Sequence, residues 1–265
     1  YGNITTESSN ITSTNGTIVY NGGIFDGGSG THEFGSLIIN SGGDYTATSG
    51  ETVMNGNITN DGVFTSNDGT VILAENATFQ MGSTQYEFYN LTINEGKKLT
   101  GSGSIDVEGS YNVNGILFSN SYIYYTGTNS DWLFFGPNGK FDGSHMLTPE
   151  SYSNLNLPEI TQERGLWDLR MGYNLVERNL TLTGNVYVNN DLTIRTMIDS
   201  NYIRAIDTNG YNLTVMDDVI VGAFSNGDTL YLDSGIHYFN DNVQINPNST
   251  IICQGCDFSV GGTSG

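Results

Sequence analysis

The chain has 265 residues, of which 28 are Asp or Glu and 8 are Lys or Arg, so its formal net charge is −20. A surface this acidic repels phosphate backbones and anionic lipid headgroups, which argues against nucleic-acid and membrane partners. No run of 18 apolar residues is present, so we expect no membrane insertion. Divalent cations and cationic partners are the ligands that this charge favours.

The composition indicates an ordered β protein. Glycine is abundant, at 35 residues, whereas proline is scarce, at 4. The polar fraction is typical of disordered chains, but 16 Tyr and 12 Phe recur at regular intervals together with Val and Ile. Because β-branched and aromatic residues favour strands, we expect an all-β fold.

The polar segment 1–14 differs from the repeats after it and is predicted to be an extended N-terminal arm. One interpretation is a frayed terminus. The other is a strand that adds to the open edge of a neighbouring subunit. A chain that starts at Tyr1 is typical of a processed, secreted protein, although an expression fragment would start in the same way.

The segment 15–120 consists of two near-copies, 15–67 and 68–120, each 53 residues long. The phrase Gly16-Thr17-Ile18-Val19 aligns with Gly69-Thr70-Val71-Ile72, and Glu33-Phe34 aligns with Glu87-Phe88. Repeats of this kind indicate stacked units that bury their apolar faces on one another. Function then lies in shape and surface.

Short strands that alternate apolar and polar residues recur along the whole chain, separated by Asn-Gly, Asp-Gly and Gly-Gly turns. No segment has a helical apolar period. A parallel β-solenoid (β-helix) and a β-sandwich both fit this pattern. Recurring phrases such as Asn90-Leu91-Thr92, Asn179-Leu180-Thr181 and Asn212-Leu213-Thr214 favour the solenoid. We expect the Asn before each strand to stack as an internal amide ladder.

The segment 121–178 is predicted to hold aromatic strands and an irregular excursion, which begins near Gly136 and contains three of the four prolines. Loops of this length are often functional. The aromatic residues that precede it suit core packing or a platform for sugars. They are Tyr122, Tyr124, Tyr125, Trp132, Phe134 and Phe135.

The excursion also carries the residues that a polysaccharide-cleaving enzyme would need. Paired carboxylates with a nearby base are the usual arrangement in such enzymes, and the alternative is that these acids are solvated or paired with the arginines. We expect no enzyme, because a nucleophile elbow, a phosphate loop and a histidine cluster are all missing from the sequence. The candidate residues are Glu150, Glu159, Glu163 and Asp168, with Arg164 and Arg170.

The segment 179–265 is predicted to form C-terminal β coils closed by a short disulfide loop. Cys253 and Cys256 are too few for a zinc site, and free buried thiols are the alternative to the disulfide. No cofactor other than Ca²⁺ is expected. Ca²⁺ would bind acidic residues in turns, and the alternative is that these residues only keep the surface soluble. The turns in question are Asn189-Asn190-Asp191, Asp217-Asp218 and Asp241-Asn242.

Nine Asn-x-Ser/Thr sequons make glycosylation possible in a secreted protein. The alternative is that Asn-Leu-Thr and Asn-Ile-Thr simply start strands after an Asn turn. The sequons begin at Asn3, Asn10, Asn15, Asn57, Asn76, Asn90, Asn179, Asn212 and Asn248.

The Asn-Leu-Thr-Ile phrases, the segment Gly184-Asn185-Val186-Tyr187-Val188 with the adjoining Asn-Asn-Asp-Leu-Thr-Ile, and the acidic Asn/Gly/Thr-rich composition resemble β-helical surface and adhesin-type repeat proteins of archaea and bacteria. The resemblance covers most of the chain and is one of composition and rhythm. It implies an extracellular parallel β-helix that serves in a cell-surface layer, a fibre or an adhesin.

These observations lead to one main hypothesis and two alternatives. The main hypothesis is a structural subunit of an extracellular filament, sheath or surface layer, which assembles with copies of itself through β-edges, with N-terminal strand donation as an additional route. Open edges of this kind form further pairings, and head-to-tail contacts form open filaments. The alternatives are an adhesin shaft or glycan-binding module, with glycans as partners, and a polysaccharide lyase or hydrolase.

Overall fold

The computed structural model describes residues 3–81, 86–150, 153–171, 178–194, 204–222 and 227–261. Strands dominate this part of the chain, which contains no α-helix and one 3-10 turn, Gln162–Arg164. Its strands pair in parallel with strands about one coil away, as in Gly23 with Gly43 and Val186 with Leu213. The predicted all-β parallel β-solenoid is therefore confirmed, and the alternative β-sandwich is wrong.

The chain forms two compact units. The first contains residues 1–123 and 133–142, and the second contains residues 124–132 and 143–265. Coils differ in length between the units. In the first unit Thr70 pairs with Asn90, whereas in the second Val186 pairs with Leu213, which lies further along the chain from its partner.

The first unit stacks its strands on three faces. One face contains β1, β3, β5 and β8. The long strands β2 and β4 each cross a corner, where their register shifts between Ser13 and Thr17, and so contribute to the other two faces. The strands from the N-terminus are β1 (Ile4–Thr5), β2 (Ile11–Tyr20), β3 (Gly23–Asp26), β4 (His32–Ile39), β5 (Gly43–Thr46), β6 (Glu51–Met54), β7 (Ile58–Asn60), β8 (Val63–Thr65), β9 (Thr70–Leu73), β10 (Ala77–Met81), β11 (Tyr86–Ile93), β12 (Lys98–Gly101), β13 (Ile105–Val113), β14 (Ile116–Ser119), β15 (Tyr122–Tyr125), β16 (Leu133–Phe135) and β17 (Lys140–Asp142).

The second unit also has three faces. One contains β19, β21, β24, β27 and β30, the next contains β22, β25, β28 and β31, and β18, β20, β23, β26 and β29 pair in turn on the third. Its strands are β18 (Met146–Pro149), β19 (Leu155–Leu157), β20 (Asp168–Met171), β21 (Arg178–Leu182), β22 (Val186–Val188), β23 (Leu192–Ile194), β24 (Arg204–Asp207), β25 (Leu213–Val215), β26 (Val219–Val221), β27 (Thr229–Leu232), β28 (Ile236–Phe239), β29 (Val243–Ile245), β30 (Thr250–Cys253) and β31 (Asp257–Val260).

The core consists of rows of apolar side chains that point inward from successive coils. Alternate residues of a strand face opposite sides, so in β11 Leu91 and Ile93 are fully buried while Thr92 is half-buried on the outer side. Aromatic rings also stack between coils: the ring centroids of Phe25 and Tyr45 are 4.8 Å apart, and those of Tyr45 and Phe64 are 5.7 Å apart. Each coil thus buries its inner row against the next.

The two copies of the sequence repeat do not stack directly on one another. Residues 17–20 pair with the second half of β4, which pairs with β7. Their sequence equivalents in β9 pair with β6, which pairs with the first half of β4. The offset between the copies is more than two coils and fewer than three, so like phrases occupy different faces.

The segment predicted as an N-terminal arm takes part in the first coil. Ile4 pairs with Phe25 and Ile11 pairs with His32, so β1 and the start of β2 lie alongside β3 and β4. The physical reason is that Asn3 and Asn10 start strands in the same way as later Asn residues do. Their side-chain oxygens accept hydrogen bonds from the backbone N–H groups of Ile24 and Thr31.

The segment predicted as an irregular excursion also contributes strands, β17 to β20. The aromatic residues before it divide between two roles. Tyr125 and Trp132 are fully buried and stacked, with ring centroids 4.5 Å apart, whereas Tyr122 and Phe134 are exposed. Tyr125 and Trp132 therefore pack in the core, as one of the two interpretations predicted. The strands β17 to β20 explain why the segment is rich in residues that favour strands.

Candidate functional site

In the second unit, a row of acidic side chains accepts hydrogen bonds from the backbone of successive coils. Oδ1 of Asp168 accepts a hydrogen bond from the N–H of Asp191 at 3.0 Å, and Oδ1 of Asp191 accepts one from Asp218 at 3.1 Å. Oδ1 of Asp218 accepts a third from Asn242 at 3.2 Å. Each of these residues lies at the start of a strand of the third face, so the row satisfies backbone groups at the turn.

A second row of the same kind is built from asparagines. Oδ1 of Asn185 accepts from the N–H of Asn212 at 3.0 Å, and Oδ1 of Asn212 accepts from Ile236 at 2.8 Å. These residues are exposed or half-buried and their oxygens bond backbone. The expected internal amide ladder is therefore replaced by an outer row, because an Asn before a strand sits at a turn where a backbone donor needs an acceptor.

Three acids come together beside the first row. One carboxylate oxygen each of Asp191, Asp217 and Asp218 lies within 4.8 Å of the others, and all three residues are half-buried. Burial raises the pKa of Asp191; the N–H of Asp218 partly offsets this, and the negative charges of Asp168, Asp217 and Asp218 raise it further. Clustered carboxylates suit a hard cation, and the Ca²⁺ expected from the sequence stays a prediction.

Replacing Asp191 by Asn should stabilise the protein at neutral pH. The Asn keeps the oxygen that accepts from Asp218 and removes one of the clustered charges, worth about 0.5 kcal/mol or 1–2 °C in Tm. Because the folded pKa of Asp191 is raised, its ionisation costs stability as pH rises from the unfolded pKa to the folded one. The gain should therefore shrink as pH falls towards 4 and disappear by about pH 3, where the carboxyl is protonated in both states.

Thermal unfolding at pH 7 and pH 3, with Asp233→Asn as the matched control, measures this effect. The same scan with 5 mM CaCl₂, an amount on the order of the weak extracellular sites, checks the Ca²⁺ prediction. Wild type should gain Tm and the Asp191→Asn variant should gain less. Equal Tm for the two proteins at pH 7 would contradict the expected repulsion.

The carboxylates that a polysaccharide-cleaving mechanism would pair lie in different environments. Glu150 is buried, Glu159 and Glu163 are exposed, and Asp168 is engaged in the acidic row, where it also accepts from Nδ2 of Asn190 at 2.8 Å. Arg170 is buried, while Arg164 is half-buried in the 3-10 turn. The expectation that the protein is not an enzyme stays a prediction.

Most sequons lie at or near strand starts, whereas Asn15 and Asn90 lie inside β2 and β11. Most of their asparagines are exposed, and Asn57 and Asn76 accept from the backbone of Thr78 and Lys98 at 2.8 Å. Asn90 differs, since its amide donates to the Thr70 hydroxyl and accepts from Ser110 at 2.9 Å. The exposed sequons are the ones that leave room for a glycan, and glycosylation itself stays a prediction.

Cys253 and Cys256 are joined by a disulfide with Cα atoms 5.6 Å apart. The bridge lies at the end of β30, where Cys253 pairs with Leu232, a fully buried core residue one coil earlier. Cys253 itself is exposed. Cys253 therefore occupies, on the last described coil, the position that Leu232 has one coil earlier.

His237 has a structural role in the core. Its Nδ1 accepts a hydrogen bond from the N–H of Leu213 at 3.3 Å, and its Nε2 donates to the carbonyl of Asp233 at 3.1 Å. Burial lowers its pKa. Both ring nitrogens are thus used in holding the neutral ring between coils.

The last described coil leaves its inner row open. Phe258 and Val260 pair with His237 and Phe239, which are fully buried, yet they are themselves 42% and 46% exposed. Ile245, at the end of β29, is 50% exposed. At the other end of the chain, Ile4 is 50% exposed although it pairs with the buried Phe25. The exposure of these residues was not predictable from the sequence, because their local pattern is that of any core strand.

No family model, curated protein or solved structure matches the chain. Among the described residues, no helix has the length and apolar character that crossing a membrane requires. The fold and the surfaces that it exposes are therefore the basis for assigning a role.

Proposed function

We propose that this protein is a structural subunit of an extracellular filament, sheath or surface layer, in which copies join end to end through their first and last coils. The exposed inner row formed by Ile245, Phe258 and Val260 carries the proposal. Apolar side chains of this size gain about 1.5–3 kcal/mol each when fully buried. Another coil laid on this row would bury them as Phe239 is buried one coil earlier.

The backbone of the last coil supports the same partner. In the described chain, β30 and β31 are the last strands of their faces, so each presents a parallel edge. Such edges pair readily with further strands. A copy whose first coil is also parallel would continue both the hydrogen bonds and the apolar row.

The first and last coils also match in length. At the first coil, Ile4 pairs with Phe25, and at the last, Leu230 pairs with Ile251, so the two pairs have the same separation in sequence. The separation is larger between β22 and β25. Equal coil lengths support stacking of the first coil of one copy on the last coil of another.

Stacking of whole coils is favoured over donation of the N-terminal strand. Ile4 and Ile11 already pair with the next coil of their own chain, and donation would break those pairings. Stacking instead uses the opposite edge of β1 and β2. A head-to-tail contact of this type does not close on itself and forms filaments.

Charge sets the conditions for assembly. With a net charge of −20, copies repel one another at low ionic strength. At 0.1 M salt, screening limits the range of that repulsion to about 10 Å. We therefore expect assembly to increase with salt or divalent cations.

The test compares end-face and side-face substitutions. Phe258→Asp with Val260→Asp places charges on the open row, whereas Ile236→Asp places one on the exposed outer side of β28. Light scattering and electron microscopy at 0.5 M NaCl should show filaments for wild type and Ile236→Asp, and monomers for the end-face variant. A wild type that stays monomeric in every salt, or equal assembly by all three proteins, would overturn the proposal.

An extracellular location belongs to the same proposal. The Cys253–Cys256 disulfide persists in oxidising surroundings. Exposed sequons at Asn57 and Asn76 would place glycans on the sides of the coils, away from the ends. Both features suit a durable surface protein.

A further inference from the structure

A cleft of 230 Å³ lies on the outer side of the second unit. Its floor is the outer side of β22 and β25, with Tyr187 and Thr214, and Asn185 and Asn212 lie along one side. The segment 159–162 forms its wall and contributes Glu159 and Gln162. The cleft therefore combines one aromatic ring with amide, hydroxyl and carboxylate groups.

The wall is held in place by backbone contacts. Ile160 is fully buried; its N–H donates to the carbonyl of Asn185 at 2.9 Å, and its carbonyl accepts from Tyr187 at 2.8 Å. Gly184 allows this approach, since a Cβ there would lie 2.7 Å from the backbone nitrogen of Glu159. After Ile160 the chain turns away through the 3-10 turn, which leaves the space beside the sheet open.

Aromatic rings continue along the floor. Tyr187 pairs with Thr214 and Thr214 pairs with Tyr238, so the two tyrosines stand on the same outer row two coils apart. Adjacent strands are about 4.8 Å apart, which separates the two positions by roughly 10 Å. Burial and the nearby Tyr238 raise the pKa of Tyr187. The Tyr187 ring is therefore uncharged at neutral pH. Tyr187 and Tyr238 lie on the same outer side of the sheet.

The polar groups of the cleft include both donors and acceptors. Oδ1 of Asn185 and of Asn212 is occupied by the backbone of the next coil. In each of these two amides, Nδ2 is the group that is left for a ligand. Thr214 and Gln162 add groups that both donate and accept, and Glu159 adds an acceptor. The single carboxylate disfavours anions and is too few for a cation site.

We propose that this cleft binds a neutral oligosaccharide, with one sugar ring stacked on Tyr187 and the chain running along the row towards Tyr238. A sugar presents hydroxyl groups at its rim, which match amides and hydroxyls, and a C–H face, which packs on an aromatic ring. The proposal goes beyond the structural role and does not depend on it. A monomeric end-face variant should bind the same sugars.

Binding is tested with protein from a host that adds no N-glycan, because a glycan on Asn212 would occupy the cleft. The probes are neutral hexasaccharides of glucose, mannose or N-acetylglucosamine, and a polygalacturonate fragment as the acidic comparison. We expect saturable binding of at least one neutral probe by calorimetry. Binding of the acidic probe alone, or of none, would overturn the proposal.

Variants locate the site. Tyr187→Ala should weaken binding by about tenfold or more, equivalent to 1.4 kcal/mol, while Tyr187→Phe should retain most of it. Tyr231→Ala is the matched control, since Tyr231 is an exposed tyrosine on a different face. Gln162→Ala, on the exposed wall, changes the cleft without touching a strand and should also weaken binding. Equal losses for Tyr187→Ala and Tyr231→Ala would show that the sugar binds elsewhere.

Discussion

Truncation of Phe88 to alanine should lower the free energy of unfolding by about 3–5 kcal/mol. Phe88 is fully buried in the first unit, where its ring lies 5.5 Å from that of Phe64 and 5.7 Å from that of Phe79. The three rings belong to β8, β10 and β11, so the cavity would weaken the packing of three strands at once. Rigid stacked strands collapse poorly around a void, which places the loss near the upper end of the range.

Phe258→Ala is the matched control, because it removes the same side chain from a row that is open. Its described ring partner is Phe239, at 5.1 Å. We expect a loss of about 1 kcal/mol, the value of one aromatic pair. Urea unfolding of dilute, monomeric protein followed by circular dichroism measures both. Equal losses would mean that Phe258 is already covered in solution, contrary to the proposed end face.

The local structure was predictable because each strand carries its own signal. In β11 and β25 the alternation Asn-Leu-Thr places the leucines inward, and Leu91 and Leu213 are both fully buried. Asn212 marks the turn before β25, whereas Asn90 lies at a register shift within β11. Parallel pairing was predictable from the recurrence of the same phrase, because stacked coils require similar side chains at similar places.

The length of the coil was not predictable from the repeat. Each copy of the repeat spans residues 15–67 or 68–120, but Gly23 already pairs with Gly43 inside the first copy. Every face of the solenoid accepts the same strand-and-turn unit, so the sequence can repeat after a number of strands that is not a whole number of coils. Pairing energy depends on backbone and side-chain fit, which are alike on all faces.

The cluster of Asp191, Asp217 and Asp218 was partly predictable, since these residues lie in turns rich in oxygen ligands. What brings them together is the pairing of Leu192 with Val219 in the next coil. The cleft had no local signal at all. Glu159 and Tyr187 are far apart in sequence, and only the bridge between Ile160 and Val186 makes them neighbours.

The exposed inner row of the last coil was likewise not predictable from the sequence. Phe239 and Val260 have the same place in successive strands, yet the first is fully buried and the second is 46% exposed. Exposure of an inner row therefore depends on the position of the coil in the stack and not on its residues. We propose that an exposed inner row of this kind attracts a like coil, and this is the physical basis of the proposed assembly.

Gly139→Ala should cost about 3 kcal/mol, the upper part of the range for overpacking in a rigid site. Gly139 ends a tight turn in the first unit in which its N–H donates to the carbonyl of Gly136 at 3.0 Å and Gly136 donates to Val113 at 3.0 Å. A Cβ on Gly139 would overlap the carbonyl oxygen of Val113 in the preceding coil. The coil cannot move away without breaking the hydrogen bond of Gly136 to that oxygen.

Gly96→Ala separates this steric effect from backbone strain. Gly96 has φ +72°, and a Cβ there would have no atom within 4 Å. Its replacement should therefore cost about 1 kcal/mol, the strain of a left-handed alanine. For a unit of this size, 1 kcal/mol shifts Tm by about 2–4 °C, so calorimetry should show a fall of roughly 6–12 °C for Gly139→Ala against 2–4 °C for Gly96→Ala. If the order were reversed, backbone conformation rather than the close approach of coils would set the need for glycine in this solenoid.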